Sequence, residues 1–162
     1  MKKTLTVCAV AGALSLFAAP SYAQSTLNMA ATLTGGEETP APGVNTGAAG
    51  SARIHVDIVN EELSVTLVVV NLPAASTAGH IHIAPKGLAG PVVIDFPIPA
   101  GRTGDLNLTF RVGASSFRPQ PQIGIVTMTD AIQSIINGNA YVNIHTSANP
   151  AGEIRGQLTL ER

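Results

Sequence analysis

From residue 50 onward the chain is built from short segments in which apolar and polar residues alternate, each closed within a few residues by Gly, Pro or Asn. A period-two segment has one face to bury, and it must bury that face against another sheet or a helix. Ser51–Ile58 places Ile54, Val56 and Ile58 on one side and Arg53, His55 and Asp57 on the other. Asn60-Glu61-Glu62 reads as a turn into the β-branched strand Leu63–Leu72, so the two segments predict a hairpin. His80–Ile83, Pro91–Phe96, Leu106–Val112, Tyr141–His145 and Glu153–Leu160 read as further strands, with Ile123–Met128 extended. Thr129 or Asp130 is expected to cap one short helix through Ile136, which Asn137-Gly138 closes. Ahead of the hairpin, Thr32-Leu33-Thr34 is expected to begin an edge strand. Gly35–Gly43 must be loop, because Pro40 and Pro42 cannot donate to a ladder. The expectation is an all-β fold: a Greek-key antiparallel β-sandwich or flattened barrel with one short helix, in a single domain.

The first residues read differently. Lys2 and Lys3 precede an apolar run from Leu5 to Ala19, followed by Pro20 and the small-x-small sequence Ser21-Tyr22-Ala23. This is the pattern of a secretory signal peptide over residues 1–23, leaving a domain over 24–162 in a periplasmic or secreted setting. The apolar run is shorter than the roughly 20 residues a membrane span needs, so no membrane partner is expected. Removing the two lysines leaves seven basic against ten acidic residues, a net charge of −3. A mildly acidic domain is a poor partner for nucleic acid. The single cysteine, Cys8, falls inside the signal, which excludes disulfides, thiolate metal sites and cysteine nucleophiles from the mature chain.

Histidine stands out instead. His80 and His82 are two apart on a strand, so both rings leave the same face with Cα atoms about 6.5–7 Å apart. Metal–nitrogen distances of about 2.0–2.1 Å let two such rings reach one ion. His145 lies in another strand, with Val142 and Ile144 on the opposite face. If those strands are neighbours, three imidazoles converge, a donor set that suits copper or zinc far better than calcium or magnesium. The bland reading is that His-x-His is the polar side of an amphipathic strand. His55, between Arg53 and Asp57, reads as an ordinary solvated or ion-paired histidine. Glu37-Glu38 and Glu61-Glu62 read as loop solvation, and no nucleophile elbow or phosphate loop is present.

Three segments together resemble the CHRD domain, the module named after chordin and also found in secreted bacterial proteins. They are Leu33–Pro40, the stretch Gly79-His80-Ile81-His82 through Gly90-Pro91-Val92-Val93, and Tyr141-Val142-Asn143-Ile144-His145-Thr146 through Asn149–Leu158. The resemblance spans essentially the whole mature chain and implies an extracellular binding role. More distantly, the chain looks like a reduced copper/zinc superoxide dismutase. His80 and His82 match that family's His-x-His, His145 its later copper ligand, and Gly152-Glu153-Ile154-Arg155 its Gly-x-Arg with one extra residue. The resemblance implies a catalytic role for Arg155 in attracting the superoxide anion. No histidine lies between His82 and His145, so a bridging ligand and a zinc cluster are missing, which leaves a copper-only site. The alternative for Arg155 is a structural fork that ties down a loop.

Three functions follow as expectations. The first is a copper site of His80, His82 and His145 that dismutates superoxide, with Arg155 guiding the anion and Asn143 or Tyr141 setting a histidine tautomer. The second is a copper- or zinc-binding protein without turnover. The third is a metal-free interaction module, with a protein partner or a homodimer.

Overall fold

A computed structural model describes residues 26–161; the expected signal segment with Cys8 and the boundary after Ala23 lie outside the described residues. The strands are β1 (Thr26–Thr34), β2 (Ala49–Asp57), β3 (Glu62–Leu72), β4 (Ser76–Ile83) and β5 (Val92–Asp95). They continue as β6 (Gly104–Val112), β7 (Ala140–Thr146), β8 (Ile154–Gln157) and β9 (Thr159–Leu160), with one α-helix, α1 (Met128–Ile136), before β7. All form one antiparallel sheet in the order β5-β4-β7-β8-β1-β2-β3-β6, with β9 also on β1. β3 lies beside β6, while the β4–β5 hairpin between them in sequence crosses to the far side, next to β7. These are Greek-key connections. The sheet curls into a flattened barrel open only between β6 and β5. A short bridge of Ile94 to Phe117 brings the segment after β6 onto β5 and narrows that gap.

Alternation decides which face turns inward. Ile54 and Val56 of β2, Leu63, Val65, Leu67 and Val69 of β3, Ile81 of β4, and Val142 and Ile144 of β7 all enter one continuous core. At roughly 25 cal/mol per Å² of apolar area removed from water, this burial is the main stabilising contribution. α1 covers part of the core with Met128, Ala131, Ile132 and Ile135.

Several boundaries differ from the sequence expectation, each for a local reason. β1 is nine residues long and interior, paired with β2 on one side and β8 and β9 on the other. The apolar positions Met29, Ala31 and Leu33 carry its alternation, which small neighbours obscure in the sequence. Ile123–Met128 is not a strand: Pro121–Ile123 forms a 3₁₀ turn and Gly124 adopts φ 77°. The helix cap is Thr127, which exchanges hydrogen bonds with Asp130 in a capping box, so α1 starts ahead of the expected Thr129 or Asp130. The final strand breaks at Leu158, whose side chain turns into the core and whose N–H bonds to Ala140 O. The expected stop at Asn137-Gly138 is present, with Gly138 at φ 75°.

Part of the outer surface is not a free face. β7 is buried along its full length, on both sides. Residues 35–46, 84–91 and 147–153 fold over the outward side chains of β4, β7 and β8. The polar residues collected there form the candidate site.

Candidate metal centre

β4 and β7 are antiparallel neighbours, with His80 opposite Asn143, His82 opposite Tyr141 and Ala78 opposite His145. This register brings His145 diagonally beside His80, so the three histidines separated by up to 65 residues share one patch. One ring nitrogen from each lies within 4.8 Å of the others. His80 Nδ1 and His145 Nε2 are 3.0 Å apart.

The outer nitrogens have acceptors that orient the rings. His82 Nδ1–H donates to Gly90 O at 2.9 Å, and His145 Nδ1–H donates to Pro150 O at 3.0 Å. A carbonyl only accepts, so both rings present an unprotonated Nε2 to the cluster. His82 Nε2 is buried and has no partner. His80 is turned the other way, with Nδ1 inward and Nε2 3.5 Å from Asp95 Oδ1. Burial holds all three rings neutral: His80 and His82 are each lowered to about 4, and His145 is lowered as well. For His80 the neighbouring His145 adds to the effect of burial, and Asp95 opposes it.

These residues fit a metal ion. Three neutral imidazoles converge, two of them already presenting a lone pair to the cluster, and one donor is an orphaned buried nitrogen.

Behind His82 lies a stack. The Tyr141 ring is parallel to it at 4.8 Å and 11°, and the Arg155 guanidinium sits 3.4 Å from the centroid of Tyr141. Arg155 is 2% exposed. It donates from Nη1 to Thr39 Oγ1 at 3.2 Å and from Nη2 to Leu88 O at 2.8 Å. The fork therefore joins β8 to two covering loops, and Tyr141 separates it from the nearest histidine. The Tyr141 hydroxyl accepts from Gly90 N at 3.1 Å, so Gly90 is held by Tyr141 and holds His82. Only glycine fits there, because a Cβ would lie 2.0 Å from Ile83 O.

Other expectations are redistributed. Asn143 and Tyr141 do not set a histidine tautomer; backbone carbonyls at Gly90 and Pro150 do. Asn143 Nδ2 instead donates to Glu38 Oε2 at 3.2 Å. Glu37 lies at the surface and pairs with Lys86 at 3.0 Å, but Glu38, read as loop solvation, is buried and its pKa is raised to about 7 by that burial. Glu153 is fully buried and accepts from Thr146 and Asn149 at 2.7 and 2.6 Å. His55 stands apart on β2, its Nδ1 2.9 Å from Asn28 Oδ1. Asp95 and Pro150 were missed in the sequence, since only the register of β5 and the fold of the 147–153 turn bring them to the rings.

The family model of the CHRD domain matches residues 29–158. The chain belongs to the CHRD domain family. The match takes in every element that carries the patch: the loop with Glu38, the His-x-His strand, β7 and β8. No curated protein and no solved structure matches the chain. This CHRD domain thus encloses a three-histidine cluster on the outer face of its sheet, roofed by its own loops.

Proposed function

We propose that this CHRD domain is a copper-binding protein of the periplasm or extracellular space, with His80, His82 and His145 as ligands. One observation carries the reading: three inward, neutral imidazole nitrogens within 4.8 Å, of which His82 Nε2 is buried without any partner. A buried polar atom left unsatisfied costs about 1–3 kcal/mol, and a bound ion removes that cost. His80 Nδ1 and His82 and His145 Nε2 would hold the ion, while the Gly90 and Pro150 carbonyls keep two rings in their ligating tautomer. The setting outside the cytoplasm rests on the signal-peptide pattern of residues 1–23.

Superoxide dismutation is the second reading, favoured by the partial exposure of His80 at the edge of an otherwise roofed cluster. Copper held by the three histidines would supply the one-electron redox chemistry that this reading needs, with the two protons of peroxide formation coming from solvent. Arg155 would act in it by drawing the anion toward His82 through the field behind Tyr141, its donor groups being already engaged.

The test is a Cu(II) titration of the purified protein beside a His80→Ala/His82→Ala variant and a His145→Ala variant. Stoichiometric binding with nitrogen hyperfine structure is expected in the parent and its loss in both variants. Weak binding that the variants leave unchanged would overturn the copper reading. A superoxide assay on the loaded protein then separates storage from turnover, with Arg155→Met expected to lower the rate only if turnover is real.

A further inference from the structure

Two of the three rings are oriented by backbone carbonyls, which mutation cannot easily alter. The third, His80, faces a side chain. Its Nδ1 points at His145 Nε2, which presents a lone pair because His145 Nδ1–H is committed to Pro150 O. In the metal-free chain the single proton of His80 therefore sits best on Nδ1, shared with His145. An ion can enter only if Nδ1 gives up that proton, and a neutral ring must then carry its proton on Nε2. Asp95 Oδ1 waits there at 3.5 Å, on the directly opposite residue of β5.

Asp95 is itself braced. Arg118 Nε donates to its Oδ2 at 2.6 Å. Arg118 belongs to the segment after β6 that closes the barrel gap onto β5, through the Ile94–Phe117 bridge, Arg118 N to Val93 O at 2.8 Å and Gln120 Nε2 to Val92 O at 2.8 Å. The closing segment thus fixes one carboxylate oxygen and leaves the other for His80.

We propose that Asp95, held by Arg118, is the positioning residue that accepts a hydrogen bond from His80 Nε2–H when the cluster takes up copper. The proposal rests on the copper reading above and extends it to a residue that does not touch the ion. The proton balance is simple: the ring loses a proton to solvent from Nδ1 and gains one from solvent at Nε2, so it stays neutral and the charge change is that of the ion. A carboxylate hydrogen-bonded to the outer N–H of a ligating imidazole raises its basicity, and removing such a partner typically lowers metal affinity 10- to 100-fold.

The experiment uses Cu(I), which is diamagnetic, with affinity measured by chelator competition and ring protonation by long-range ¹H–¹⁵N correlation. The parent is expected to move the His80 proton from Nδ1 to Nε2 on loading. Asp95→Ala is expected to bind copper about 10- to 100-fold more weakly. Its His80 Nε2–H, present in the loaded form, is expected to exchange rapidly with water where the parent's is protected. Asp95→Asn keeps an acceptor oxygen without the charge and should fall between, and Arg118→Ala should show a smaller loss than Asp95→Ala. Equal affinity and equal exchange protection in parent and Asp95→Ala would overturn the proposal while leaving the copper site standing. Absence of stoichiometric binding in the parent would overturn both, and the unchanged Nδ1 proton would report it.

Discussion

Glu38 offers a sharp quantitative test of how the loops roof this domain. It is 7% exposed, with Oε2 accepting from Asn143 and Oε1 without a partner. Burial raises its pKa from 4.5 to about 7, against the downward pull of the Arg155 charge and the Asn143 hydrogen bond. A group whose folded pKa is raised holds more protons folded than unfolded across that interval. Its contribution to stability is therefore complete below about pH 4.5 and is lost as the pH rises through about 7. At about 1.4 kcal/mol per pH unit, the gap between 4.5 and about 7 sets an upper limit of about 3–4 kcal/mol, most of it falling between about pH 5 and about pH 8. Glu38→Gln keeps the shape and removes the ionisation. Urea unfolding of both metal-free proteins from about pH 5 to about pH 8 would measure it. The variant is expected to gain up to about 3 kcal/mol relative to the parent as the pH rises across that range. Taking the difference cancels the histidines, whose lowered pKa values act in the opposite sense: their contribution is present above about 6.5 and lost as the pH falls through about 4. A difference that stays flat with pH would refute the reasoning, because the carboxyl would then ionise in place without penalty.

Three further outcomes are expected. Because burial holds His80 and His82 to about 4, protons should not compete for these rings near neutrality. Apparent copper affinity should stay level from about pH 7.5 to about pH 5.5, whereas a tenfold fall per pH unit starting near 6.5 would speak against the burial argument. Tyr141→Leu removes the ring stacked on His82 and the hydroxyl on Gly90, and should lower both unfolding stability, by about 2 kcal/mol, and copper affinity. Tyr141→Phe keeps the stack and should lose only about 1 kcal/mol with affinity intact, as denaturant melts and chelator competition would show. Gly152 has φ 149°, and a Cβ there would lie 2.5 Å from Glu38 Oε1 and 2.7 Å from Asn143 Nδ2. Gly152→Ala should therefore lose about 2 kcal/mol or more, and an unchanged melting midpoint would contradict the close packing of that loop.

The sequence made much of the cluster legible through spacing. His80 and His82 had to leave one face of a strand because the pleat repeats every two residues, and His145 had to oppose Val142 and Ile144 for the same reason. What spacing could not show was adjacency, which depends on the β4–β7 pairing across about 60 residues of intervening chain. The role of Arg155 was open for a similar reason. Gly-Glu-Ile-Arg reads equally as an anion guide or a loop fork, and only the packing puts Tyr141 between the guanidinium and His82. Glu38 was misread as a solvated loop carboxylate because nothing local marks a glutamate that another loop will cover.

Taken by itself, the sequence determined the local and periodic properties of this protein: short strands from alternation, loops from Pro and Gly, the helix stop at Asn137-Gly138, and a histidine-bearing donor set with no cysteine after Cys8. These depend on neighbours within a few residues, where sterics and hydrogen bonding act directly. The tertiary structure decided which faces were covered and which side chains met. It roofed the outer face of β4, β7 and β8, turned Nε2 of His82 and His145 inward through the Gly90 and Pro150 carbonyls, and brought Asp95 behind His80. Those outcomes depend on strand order and register, and the long-range packing free energy that selects them is not carried by any one segment.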